Sequence, residues 1–306
     1  MDVLRFFESI RTPFLDGFFS LVTMLGEETL FIVIGLVLFW CINKYQGYYI
    51  LSVGFLGTVL NQFLKIFFRV PRPWVIDEKF TIVESAREEA TGYSFPSGHT
   101  QMSVGTFGGI ARYNKNLPLR ILCIVLCVLI PLSRMYLGVH TPKDVLVSVA
   151  LALIIVFGFY PIFTKAKEKP QLMRMLFLGM LLICLLYLGY VTFYPFPADT
   201  DGQNLFEAVS NGYKMLGCVL GLLAAFEIDT NYTKFETKAV WYVQILKLVL
   251  GLIPVILIKS VLKQPLLDLF GGSEIASAVR YFLLTVFAGG IWPMTFKFFN
   301  KIGKKE

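Results

Sequence analysis

Two histidines occur in the 306 residues, His99 and His140, and each interrupts an oily chain with a short polar stretch. His99 closes "PSGH", Pro96 to His99, and His140 lies inside "SRMYLGVHTPKD", Ser133 to Asp144. A third stretch, "KIFFRVPRP", runs from Lys65 to Pro73. Together they offer three cations, Lys65, Arg72 and Arg134. A guanidinium presents a planar fork of donors that matches phosphate oxygens, and lysine adds a point charge. Ser97 and Gly98 open a helix, whose free N–H groups and dipole favour an anion, and glycine lets the backbone approach closely. These types describe a phosphate cradle. A neutral imidazole can attack phosphorus, and a second, protonated one can protonate the leaving oxygen. Asp144 follows His140 by four residues, a spacing at which it can accept the ring N–H and fix the tautomer. No Asp, Glu or His cluster has metal-ligand spacing, so this scheme uses no metal and no cofactor.

Each residue alone has a plainer reading. Lys65 and Arg72 can snorkel from a span end. "TPKD", Thr141 to Asp144, is a good helix start, with threonine as N-cap, proline first and an acid third. Ser97 can be an N-cap and nothing more. The plain readings leave one coincidence unexplained: both histidines and all three cations fall at element ends.

The elements that must position them are membrane helices. The chain is 56% hydrophobic and 16% charged, with mean hydropathy +0.67, against about 25% charged in soluble domains. Apolar stretches near 20 residues recur. The expected fold is all-α, a polytopic transmembrane bundle. About nine spans are expected, near 29–43, 47–68, 99–113, 118–137, 142–163, 172–194, 209–226, 239–258 and 278–297. The span near 99–113 is the least apolar, and its Gly and Ser suit close packing among helices. Residues 1–28 read as an interfacial amphipathic helix with Leu4, Phe7, Phe14, Phe18 and Val22 on one face. Arg11 falls on that apolar side. Thr12 and Pro13 suit a fresh helix start. Cys41, Cys123, Cys127, Cys184 and Cys218 all lie in apolar stretches and read as small buried side chains. Lys247 lies inside a span, where an ionisable residue is a functional hint by default unless it snorkels.

Lys44, Arg112, Lys115, Arg120, Lys165, Lys167, Lys169 and Arg174 gather on one side, with the basic tail. Asp199, Asp201 and Glu207, and the long segment 69–98, fall on the other. The positive-inside rule places the basic set in the cytoplasm, the N-terminus outside and the C-terminus inside. All three polar stretches then reach the outer face of the cell membrane. The net charge of +7 follows membrane topology and gives no sign of nucleic-acid binding. Lys259 and Lys263 fall outside against the rule.

The three stretches resemble the signature motifs of the type 2 phosphatidic acid phosphatase superfamily, membrane lipid phosphatases related to glucose-6-phosphatase and vanadium haloperoxidases. Lys65, Arg72 and Pro73 match the first motif, Pro96 to His99 the second, and Ser133, Arg134, His140 and Asp144 the third. The resemblance covers residues 1–164. It implies a six-helix core and a phosphohistidine intermediate, with His140 as nucleophile, Asp144 orienting it, and His99 as general acid. Lys65, Arg72, Ser97, Gly98 and Arg134 would bind phosphate. Residue types and spacing alone leave open which histidine attacks. Residues 165–306 add about four further spans and carry no motif.

The expected activity is hydrolysis of a lipid phosphate or diphosphate, with membrane lipids as surroundings. Undecaprenyl diphosphate, phosphatidate and phosphatidylglycerophosphate are the leading substrates; a sphingoid-base phosphate or a sugar phosphate would also suit the motifs. The competing class is a transporter or a non-catalytic lipid-phosphate binding protein. Transporters place substrate near the midplane, whereas this polar cluster sits at helix ends.

Overall fold

The computed structural model describes residues 1–302; its regular elements are helices, with no strand among the described residues. In chain order the helices are α1 Asp2–Ser9, α2 Pro13–Met24, α3 Glu28–Val37, α4 Lys44–Phe68, the single turn α5 Pro73–Ile76, α6 Gly98–Tyr113, α7 Leu117–Tyr136 and α8 Pro142–Thr164. They continue as α9 Pro170–Phe193, α10 Gly202–Ile228, α11 Trp241–Val261, α12 Lys263–Leu269, α13 Ile275–Val286 and α14 Phe296–Phe299. Among the described residues seven stretches are long and apolar enough to cross a membrane, and α2 with the helix from Glu28 to Ile42, bent by 48°, makes an eighth if it is one span. This is an integral membrane protein. The stretch expected as a span near 99–113 forms α6, whose 16 residues fall short of the length of the other seven.

Local chemistry sets the helix starts. Thr12 caps α2 by accepting from Leu15 N, with Pro13 in the first turn. Ser97 caps α6 through Thr100 N, and Asn116 caps α7 through Leu119 N. Each satisfies one backbone donor that the helix itself cannot.

Spatial contacts divide the chain into two units. The first comprises Met1–Ile32, Ser52–Tyr160 and Phe196–Phe206. Within it α6 lies along α7 and presses on α4: a Cβ on Gly57 would stand 1.7 Å from Gln101 Nε2. On α6 itself a Cβ on Gly105 would stand 3.1 Å from Val53 Cγ1, so the small residues of that stretch do sit in close packing. The N-terminal segment forms two helices, and its apolar face divides. Leu4 and Val22 are buried, whereas Phe14 is 79% exposed and Phe18 also points outward. Arg11, out of place on an apolar stripe, donates to the carbonyls of Thr81 and Tyr136. Arg5 pairs with Asp77, and Glu8 accepts from Thr81 N at 2.8 Å. These bonds strap α1 to the loop before α6.

The second unit comprises Val33–Leu51, Pro161–Pro195 and Glu207–Glu306. Lys247 is fully buried there, its Nζ donating to Trp40 O at 3.1 Å and Thr237 O at 3.2 Å, 4.4 Å from the Phe296 ring centroid. Its partners account for it: the lysine fastens the π-helical turn Leu38–Ile42 to the segment before α11. Lys44 and Asp229 form a further ion pair at 2.7 Å.

Candidate active site

All eight residues singled out from the three motifs lie in the first unit, at the C-terminal ends of α4 and α7, the N-terminal ends of α6 and α8, and the loops between. Arg72 is buried, its fork spread over backbone: Nε donates to Gly92 O at 3.0 Å, NH2 to Thr91 O at 2.6 Å and NH1 to Val139 O at 3.0 Å. The same NH1 lies 3.0 Å from His140 Nε2. Lys65, half-buried, donates to Tyr93 O. First-motif cations thus bind the loops that carry the second and third motifs.

His140 is 2% exposed. Burial in a low-dielectric pocket, reinforced by the Arg72, Arg134 and Lys65 charges, pushes its pKa well below the ordinary value and keeps the ring neutral. A guanidinium can only donate, so Nε2 is the acceptor and Nδ1 carries the hydrogen. Nδ1 faces Asp144 Oδ2 at 3.6 Å, too far for a hydrogen bond, and has no other partner among the described residues.

Asp144 performs the plain role as well as the one expected of a catalytic neighbour. Oδ2 accepts from Thr141 N at 2.8 Å while Thr141 Oγ1 accepts from Asp144 N, a reciprocal cap that starts α8. Oδ2 also accepts from Ser94 Oγ at 2.6 Å, and the backbone oxygen of Asp144 accepts from Ser97 N at 3.2 Å. One residue therefore clasps the second-motif loop to the third.

Arg134 is completely buried, with NH1 donating to Thr23 Oγ1 at 2.7 Å. Its Nε and NH2 have no partner among the described residues. A buried guanidinium with two N–H groups unsatisfied is costly unless a ligand accepts them. Gly98 opens toward free space, for a Cβ there would meet only Asn61 Oδ1, at 3.9 Å. His99 Nε2 lies 3.2 Å from Glu89 Oε2. That hydrogen bond holds the Glu89 carboxyl below its usual range.

Ser94, Glu89, Thr23 and Asn61 escaped the sequence reading. Asn61 is one helical turn before Lys65, and its Nδ2 is buried without a partner among the described residues; the i, i+4 spacing was a usable signal. The others arrive from loops and from α2, where no spacing announces them.

Residues 45–168 match the model of the PAP2 superfamily, and residues 213–305 match that of the PAP2 superfamily phosphatase transmembrane extension. Phosphatidylglycerophosphatase B of Bacillus subtilis is 32% identical over 176 residues, 52% of this chain and 82% of that protein. The chain belongs to the PAP2 superfamily. The PAP2 relatives include undecaprenyl-diphosphatase BcrC of B. subtilis, 32% identical over 35% of this chain and 52% of its own. Lipid A 4'-phosphatase of Porphyromonas gingivalis is 29% identical, covering 52% of this chain and 71% of its own. The crystal structure of Aquifex aeolicus LpxE aligns at TM-score 0.45 and 27% identity, covering 51% of this chain and 91% of that one. The protein is a PAP2 phosphatase.

Proposed function

We propose that this phosphatase hydrolyses a lipid phosphate or diphosphate at the outer membrane face through a phosphohistidine on His140. The observation that carries the reading is the pairing of a neutral His140, Nε2 lone pair forward, with a buried Arg134 that has two unsatisfied N–H groups. A phosphate seated among Lys65, Arg72, Arg134 and the Ser97–Gly98 helix start takes the Arg72 NH1 hydrogen bond and frees Nε2. Nε2 attacks phosphorus and the bond from phosphorus to the leaving oxygen breaks. His99, as imidazolium, supplies that oxygen with a proton. Asp144 closes on Nδ1–H as charge develops on the His140 ring. Neutral His99 then takes a proton from water, whose oxygen attacks the phosphohistidine. The P–N bond breaks and phosphate leaves.

A lipid suits the position of the cluster, because a headgroup can enter at helix ends while its chains stay in the bilayer. The relatives' names point the same way: they specify different lipids, each bearing phosphate. Phosphatidylglycerophosphate, undecaprenyl diphosphate and phosphatidate are the first three to assay. The deciding experiment is phosphate release by purified protein in detergent, with chelator present, across lipid phosphates, lipid diphosphates and a sugar phosphate. Release from a lipid, abolished in His140→Ala, is expected. Silence across the panel from folded protein would turn the reading toward binding or transport.

A further inference from the structure

Asn61 lies inside the membrane-length helix α4, where a polar side chain is costly and hints at function. Gly57, Asn61 and Lys65 follow at intervals of four and share one face of α4. That face runs along the second motif and α6: Gly57 meets Gln101, Asn61 meets Gly98, and Lys65 donates to Tyr93 O. Asn61 is 2% exposed, and its Nδ2 has no hydrogen-bond partner among the described residues. A buried donor left unpaired costs stability. Its Oδ1 faces Gly98, 3.9 Å from where a Cβ would stand there. The last torsion of asparagine is broad and roughly two-fold, so a half-turn presents Nδ2 to Gly98 in place of Oδ1.

We propose that Asn61 is a further phosphate-binding residue, whose amide N–H donates to the phosphate seated at the Ser97–Gly98 helix start. This rests on the phosphatase reading above. A phosphate oxygen is the acceptor that the buried amide lacks, and a hydrogen bond to a charged oxygen is stronger than one between neutral groups. Being neutral, the amide adds a donor without adding a fourth cation to Lys65, Arg72 and Arg134. Gln101 Nε2 is also buried without a partner among the described residues. It lies against Gly57, one turn of α4 farther from Lys65, and so provides the comparison.

The probe is inorganic phosphate, titrated into the whole purified chain in detergent and followed by phosphorus NMR. Lipid-phosphate hydrolysis and thermal unfolding are measured beside it. Asn61→Leu keeps the approximate volume and removes the donor. It should weaken phosphate binding about tenfold or more, the scale of one hydrogen bond to a charged group. Its unfolding temperature should hold or rise, because the unpaired buried amide is gone. Gln101→Leu should bind phosphate as the wild type does. Unchanged binding in Asn61→Leu, or equal weakening in Gln101→Leu, would overturn the inference: either the amide makes no contact, or the loss comes from helix packing. Loss of binding in step with a lower unfolding temperature, in both Asn61→Leu and Asn61→Ala, would make the amide a packing element and overturn it as well. Wild-type protein that neither binds inorganic phosphate nor releases it from a lipid would sink the phosphatase reading itself. Wild-type binding and turnover beside an unaffected Asn61→Leu would sink only the role of Asn61.

Discussion

Arg72 NH1 and His140 Nε2 stand 3.0 Å apart, and the direction of that bond fixes the imidazole tautomer. Because arginine never accepts, the lone pair on Nε2 faces the phosphate cradle. Arg72→Lys keeps the charge and loses the fork over Thr91, Gly92 and Val139. Losing one charge-assisted hydrogen bond costs about 1.5–3 kcal/mol, so kcat/KM should fall about ten- to a hundredfold. Steady-state kinetics would show it; an unimpaired lysine variant would mean that charge alone suffices.

Among the described residues, Thr23 alone accepts from the Arg134 guanidinium, through Oγ1. Thr23→Val preserves shape and removes the hydroxyl that aims it. The expected outcome is weaker substrate binding, worth about 1 kcal/mol or roughly fivefold in KM, with kcat nearly unchanged. Comparing KM and kcat separately checks this.

Ser94 donates to Asp144 from within the second-motif loop. Ser94→Ala should cost about 1 kcal/mol of stability and lower turnover, since the carboxylate loses one of the bonds that aim it at His140. Thermal unfolding of the purified protein and kcat, measured on one sample, test both halves.

His140 titrates far below its ordinary value of 6.5 because burial and three cations oppose a charge on the ring. The ring therefore stays neutral at and below pH 6.5, and the nucleophile is not lost to protonation across the neutral range. In His99→Gln protein the remaining histidine signal should show no titration near pH 6.5. An ordinary midpoint would mean that water reaches the buried ring.

Glu8 is held at about 2 although burial works against its charge, because Thr81 and Arg5 hydrogen-bond the carboxylate. A depressed carboxyl pKa gives stability that is complete above the ordinary value of 4.5 and is lost as pH falls toward about 2. Hydrogen exchange around Thr81 should therefore accelerate across that window in the wild-type protein and be fast at every pH in Glu8→Gln.

The sequence made the three motifs legible because polar residues are costly among apolar spans and each needs a reason. Spacing brought Asp144 to His140 on one helix start. It did not disclose that Asp144 also holds Ser94 and the Ser97 amide, since those contacts depend on how two loops fold back. Outward Phe14 and Phe18 show another limit: lipid and protein interior are equally apolar, so hydrophobicity alone does not tell a buried face from a lipid-facing one. Lys247 likewise needed its two carbonyl partners before it could be read as a fastening.

Asp144 caps a helix, clasps a loop and faces the nucleophile, all with the same few atoms. A residue so committed leaves little room for redesign, since a glutamate is one methylene too long for every one of those duties. The opposite end of the same connection is fastened by Arg5, Glu8 and Arg11 reaching from the N-terminal segment. Residues 77–81 and their N-terminal partners share none of the Asp144 contacts, so they can be edited while the hydrolytic machinery is left alone.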